Sequence, residues 1–378
     1  MSSGMPALDA QRSNPTDSKG NTATTPDSEV LRAYQQVQER IERTFSDPRY
    51  EPPRLPAVAI ELLELARRPD VDVKDVVSLL EKDPVLASQL LRHVRSPLYA
   101  GGAEIRSLQR ALTHLGLEHI RDVALELTVG ARVFRAEHYA EAMDRVSRHS
   151  RRTAYLTQVV CRYAAHDASY AFLCGLLHDV GLAAGLIALG DVPRREERPD
   201  IAIALPVLFE MHTELGAQVA QSWQLAPEVV HVIRHHHLLV DGQGQVNRLA
   251  AVVCLAEHLA NELGEGGAIA VPGVHHLPLP QGKSGASHDQ TAPHLIALAC
   301  ETLGLDSKKM ELIRADAAKL VLNLEAPKDV AGTSPETGTP VPPPTPTAAP
   351  REVKRSEGAA GSSPSGFWAS VRGFFGSD

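Results

Sequence analysis

Histidine is the residue type best placed to do chemistry in this chain. There are seventeen among 378 residues, several beside carboxylates. His178 is followed directly by Asp179; His149 precedes them, and His212, the run His235-His236-His237 and the pair Glu257-His258 come later. An adjacent His-Asp pair at a helix end can offer an imidazole nitrogen and a carboxylate oxygen to one cation. One more histidine from an earlier helix and one acid from a later helix would close such a site. Imidazole with carboxylate suits Zn, Fe, Mn, Ni or Co better than Mg alone. An ion held this way lowers the pKa of water and polarises a phosphoryl oxygen. The plainer alternative is a hydrogen-bonded His–Asp pair that pins two helices, since buried charges must find partners. For His235–His237 the plainer alternative is a solvated helix C-terminus, where the dipole favours imidazolium. Cys174, four residues before His178, reads as core, and His275-His276 as solvated.

The elements that must position these groups read as helices. Ala57–Arg67 places Ile60, Leu63 and Leu65 near one face; Asp72 caps Val73–Lys82, and Asp83-Pro84 opens the next helix. Gly116 separates helices at Ser107–Leu115 and Glu118–Val129. Longer helices are expected at about 141–165, 168–178, 205–222, 226–238, 246–262 and 294–304. Aromatics make up 4% of the chain and apolar alternation is nearly absent, so a sheet has little support. The expected fold class is all-α, in two helical lobes.

Composition sets the boundaries. Residues 1–28, rich in Ser, Thr, Asn and Gly, read as a disordered tail. Residues 29–130 form a short N-terminal lobe, and 131–325 a second lobe with a long loop at 264–293. Eight of the 27 prolines fall in 327–350, so 326–366 reads as an extended linker. The terminal segment 367–378 carries Phe367, Trp368, Val371, Phe374 and Phe375; on a helix, Phe367, Val371 and Phe374/Phe375 line one stripe. So short a helix is marginal alone and is expected to fold against a protein surface, on a partner or on its own domain.

The charge balance, 38 Lys+Arg against 46 Asp+Glu with a net charge of −8, excludes a nucleic-acid binder that relies on bulk positive charge. No run of about 18 apolar residues is read in the sequence, so no membrane span is expected. Four cysteines without Cys-x-x-Cys spacing read as reduced thiols, and the N-terminus lacks a signal-peptide pattern; the expected location is cytoplasmic.

Spaced motifs carry a family resemblance over roughly residues 50–262. Leu55-Pro56, Asp83-Pro84-Val85-Leu86, Ser96-Pro97-Leu98-Tyr99, Ile105, Ser107, Ala111 and Leu115-Gly116 resemble the N-terminal half of an HDOD domain, the HD-related output domain of bacterial signalling proteins. His149-Ser150, Gly175-Leu176-Leu177-His178-Asp179-Val180-Gly181, His212-Thr213 with Leu215-Gly216-Ala217, Trp223, Pro227 and Ile233 with His236-His237 continue it. The resemblance implies a regulatory module that binds other proteins in a signalling pathway. It also implies membership of the HD superfamily, whose enzymes are metal-dependent phosphohydrolases. Carried over position by position, the metal ligands would be His149, His178, Asp179 and Glu257, with His212 and His236 or His237 as the extra histidines of dinuclear members. A nucleotide or cyclic dinucleotide is the ligand class implied, and an active phosphohydrolase or phosphodiesterase the alternative function. Three positions depart from pattern: Glu257 replaces the usual Asp, Leu182 a Lys, and Arg95 an Asn. In a faint echo of the cyclic-di-GMP-hydrolysing HD-GYP group, Leu238, Gln245 and Val246 replace that motif's Glu, Tyr and Pro.

Overall fold

The structure is a computed structural model that describes residues 26–66, 71–95, 105–165, 170–192, 197–239, 245–264 and 293–325. These residues form helices, with no strand among them, as expected of an all-α chain. The first lobe contains α2 (Ala57–Ala66), α3 (Val73–Glu81), α4 (Pro84–Val94), α5 (Leu108–Leu115) and α6 (Leu117–Arg132), with α2, α4 and α5 packed on α6. Local chemistry fixes their ends. The Asp72 carboxylate accepts the Lys74 N–H at 2.9 Å, and Asp83 accepts those of Val85 and Leu86 at 3.0 Å with Pro84 in the first turn. Gly116, at φ +82°, turns α5 into α6. Arg95, the unexpected residue at the end of α4, donates Nε–H to the Ile105 carbonyl at 2.7 Å and ties α4 to the approach to α5.

The second lobe contains α7 (Ala140–Ala164), α8 (Ala171–Leu177), α9 (Val180–Gly190), α10 (Ile201–Ser222), α11 (Pro227–His235), α12 (Arg248–Leu263), α13 (Pro293–Leu303) and α14 (Ser307–Glu325). Here α7 packs on α8 and α12, α10 on α9 and α11, and α14 closes over α7. The helix α1 (Pro26–Ser46) precedes the first lobe in sequence yet packs on α9 and α10, through the buried stripe Tyr34, Val37, Ile41 and Phe45.

Two expectations need correction. The helix expected at 205–222 begins at Ile201. Asp200 is the cap, accepting the Ala202 N–H at 2.8 Å, and Pro206 lies inside the helix. The chain also does contain a segment apolar enough, by length and composition, to cross a membrane: Ala171–Gly190, with a mean hydropathy of 1.9. It escapes a search for an unbroken apolar run because His178-Asp179 interrupts it. In the fold 89% of it is buried within the protein, as the centre of the second lobe.

Candidate metal centre

The structure brings the seven candidate ligands of the sequence reading together from six helices. His149 comes from α7, His178 from the end of α8, Asp179 from the start of α9, His212 from α10, His236 and His237 from the end of α11, and Glu257 from α12. Asp179 is the hub. Its Oδ2 lies 3.2 Å from His178 Nε2 and 3.8 Å from His149 Nε2, and its Oδ1 lies 3.4 Å from His212 Nε2. His212 Nε2 is in turn 3.4 Å from His236 Nε2 and 3.3 Å from His237 Nε2, and His237 Nδ1 is 3.8 Å from Glu257 Oε2. The donor atoms thus fall into two adjoining groups: His149 with His178 and Glu257, and His212 with His236 and His237. Asp179 stands between them.

Close helix packing makes this convergence possible. A Cβ on Gly181 would sit 1.9 Å from the His212 carbonyl oxygen, so only glycine lets α9 approach the α10 backbone at the level of Asp179 and His212. A Cβ on Gly175 would meet the Ala154 backbone at 2.8 Å, which sets α8 against α7 and His178 near His149.

Hydrogen bonding orients three of the rings. Nδ1 of His178, His212 and His236 lies 2.8, 2.7 and 2.8 Å from the carbonyls of Gly175, Phe209 and Ile233, each three residues earlier. A carbonyl only accepts, so each Nδ1 donates and each ring turns Nε2 into the centre, where it can ligate once it carries no proton. A second-nitrogen bond of this kind is the usual support of a ligating histidine. These carbonyls are the part of the site that sequence reasoning missed.

The fit to a cation follows from what this arrangement leaves unmet. His178 Nε2, both Asp179 oxygens, both His149 nitrogens and Glu257 Oε2 are buried without a hydrogen-bond partner among the described residues. Neutral His212 and His236 would also face each other with two lone pairs 3.4 Å apart. A divalent ion relieves both costs, and the mixed imidazole and carboxylate donors suit a transition metal.

Electrostatics agree. Burial pushes the Asp179 carboxyl up, but His178, His212 and His149 override it and hold it well below the usual carboxylate range. Burial pushes His149 down to about 3 and also lowers His212 and His236. Burial opposes protonation of His178 as well, yet Asp179 raises it to about 9, and burial pushes Glu257 up to about 8. The other histidines of the sequence reading stand apart. His235 bonds the His231 carbonyl at 2.9 Å, and His258 pairs with Glu262 at 3.3 Å. Cys174 is buried, its thiol pushed up by burial, as a core residue should be. His275-His276 and the C-terminal residues Phe367, Trp368, Val371, Phe374 and Phe375 lie outside the described residues.

Comparison with known proteins places this architecture. Residues 53–239, just under half of the chain, match the HDOD domain. The fold of the chain is that of an HDOD protein from Geobacter sulfurreducens, at a TM-score of 0.56 and 22% identity over 80% of this chain and 98% of that one. A candidate metal-dependent phosphohydrolase from Shewanella amazonensis SB2B aligns at a TM-score of 0.53 and 21% identity, over 76% and 99% of the two chains. Among curated sequences, an uncharacterised protein of Treponema pallidum is 25% identical over 213 residues, 54% of this chain and 41% of its own length. Ribonuclease Y of Mycoplasma genitalium is 25% identical over 182 residues, 44% and 34% of the two lengths. The chain therefore spans less than half of the curated relatives it matches.

Proposed function

We propose that this is a cytoplasmic signalling protein that works by binding other proteins, and that its HDOD core holds a divalent transition metal in a structural or regulatory role. His149, His178, Asp179 and Glu257 would hold the ion, with His212, His236 and His237 available to a second. One observation carries the preference for regulation over turnover: the donor set is sealed. Of the seven ligands only His237 keeps appreciable exposure, 27% of its side chain. Leu182, where a basic residue would face a phosphate, is buried in the core. The cations on flanking helices are engaged: Arg234 with Glu214 at 2.6 Å, and Arg152 with Glu325 and the Ala260 carbonyl. The C-terminal aromatic peptide would supply a second protein contact.

A second reading, a metal-dependent phosphohydrolase, is favoured by charge. One divalent ion balances Asp179 and an ionised Glu257, whereas two would leave a surplus of positive charge that a phosphate ester would neutralise. When bound, the metal would supply Lewis acidity toward a phosphoryl oxygen and an activated water. The protein's own part would be to fix the donors through the three Nδ1–carbonyl bonds and to keep bulk water out.

The test is metal content of the full chain, purified without chelator or metal-affinity resin, beside His178→Ala/Asp179→Ala. The expected result is near-stoichiometric metal that the variant loses, with no turnover of phosphate esters or cyclic dinucleotides. Turnover that tracks metal content would replace the regulatory reading with the hydrolase. A folded chain that stays metal-free after incubation with Mn, Fe or Zn would remove the metal from both.

A further inference from the structure

Away from the histidine centre, a cleft of about 540 Å³ opens between α1 and the C-terminal end of α9. Gln36, Arg40, Arg43 and Thr44 form one stripe of α1, at spacings of four, three and one residues, flanking the stripe that packs on α9 and α10. Arg49, Tyr50 and Glu51 follow from the loop after α1, and Ile187, Ala188, Asp191 and Val192 form the other wall. Arg49 is held by Asp47 at 2.9 Å, and Arg40 reaches the Glu197 carbonyl at 3.1 Å. Arg43 has no ion-pair or hydrogen-bond partner among the described residues. The helix α1 and the loop after it lie outside the stretch matched to the HDOD domain, residues 53–239, so one wall of the cleft is built by a segment that the family match does not include.

From this geometry we infer that the cleft binds a nucleoside phosphate. Arg40 and Arg43, one turn apart, present guanidinium groups that suit phosphate oxygens. The volume exceeds what a free phosphate fills and lies in the range of small-molecule sites. The Tyr50 ring with Ile187, Ala188 and Val192 provides a surface for a base. Asp191, and the oxygen of Glu51 that its 2.6 Å pair with Arg54 leaves open, can accept hydrogen bonds from ribose hydroxyls or base amines, a use of carboxylates familiar in nucleotide sites. A bare polyanion would meet those two carboxylates with repulsion; a nucleoside would use them.

The test is titration calorimetry of the full chain with ATP, GTP, cyclic-di-GMP and pyrophosphate, in chelator so that no metal recruits phosphate to the histidine centre. At least one nucleotide should bind with a dissociation constant below about 100 μM. Arg40→Glu/Arg43→Glu should weaken it at least about tenfold. Ala188→Trp, which fills the cleft without touching the arginines, should do the same, and His178→Ala/Asp179→Ala should leave binding unchanged. Circular dichroism confirms that each variant is folded. Absence of binding at about 1 mM, or binding that survives both cleft variants, overturns the inference. Binding abolished only by the His178/Asp179 variant moves the ligand to the histidine centre and overturns it equally. Pyrophosphate binding as tightly as the nucleotides would reduce the site to a phosphate site and overturn the nucleoside assignment.

Discussion

A metal entering the histidine centre competes with protons. At pH 7 His178, raised to about 9, and Glu257, raised to about 8, both carry a proton in the metal-free protein. Ligation requires both to lose it, so metal uptake releases protons and affinity rises with pH. Below pH 8 about two protons leave per ion, so the association constant should climb about a hundredfold per pH unit, and about tenfold per unit between pH 8 and 9. Titration in buffers of different ionisation enthalpy measures that number directly; an affinity flat between pH 6 and 8 would contradict it. At Gly181 even one methyl group is too much. Gly181→Ala drives a Cβ into the His212 carbonyl and should destabilise the fold by about 3 kcal/mol in urea while lowering metal content. The seven candidate ligands are named from the family resemblance, position by position, and the fold brings them together. The tautomers could not be named this way, because they are set by carbonyls that every residue possesses.

Between elements, the two lobes meet along a buried polar seam of α6 and α7. Glu126 accepts from Tyr155 Oη and lies 2.6 Å from Arg151 Nε, with His93 of α4 at 3.8 Å. One turn earlier Asp122 takes Arg121 at 2.8 Å and Gln158 at 2.7 Å. Burial raises the Asp122 carboxyl, against the pull of Arg121. Glu126→Ala leaves a hydroxyl and a guanidinium without their partner, and should cost about 3 kcal/mol by chemical denaturation. A double-mutant cycle of Glu126→Gln with Tyr155→Phe should show a coupling of about 1 kcal/mol. No sequence pattern announces this seam, because Glu126 and Tyr155 are 29 residues apart and each is unremarkable on its own helix. Periodicity located most helices and the caps of the first lobe. It missed α1, α14 and α9, the last because its sequence VGLAAGLIALG has no polar face, the helix being buried on nearly every side.

At the scale of the whole molecule, α14 closes the second lobe. It buries Met310, Ile313, Ala317, Val321 and Leu324, and its last residue, Glu325, pairs with Arg152 of α7. A chain ending at Asp306 should lose at least about 10 °C in Tm, whereas one ending at Glu325 should melt within about 2 °C of the full chain. Differential scanning calorimetry on the two truncations decides it. The two-lobed, all-helical design was legible because apolar periodicity survives over most of residues 57–262. The docking of α1 onto α9 and α10 was not, since an amphipathic stripe such as Tyr34, Val37, Ile41 and Phe45 says that a helix is covered but not by what. The apolar segment Ala171–Gly190 has a consequence for biosynthesis. It leaves the ribosome before α10 and α12, the helices that enclose it, have been made. For the time needed to synthesise some seventy more residues, at about 5–20 per second, it is a hydrophobic nascent chain with the look of a membrane anchor. The His178-Asp179 step in its middle should discourage misdirection to a bilayer, so the pair at the hub of the histidine centre would also protect the polypeptide during its own synthesis.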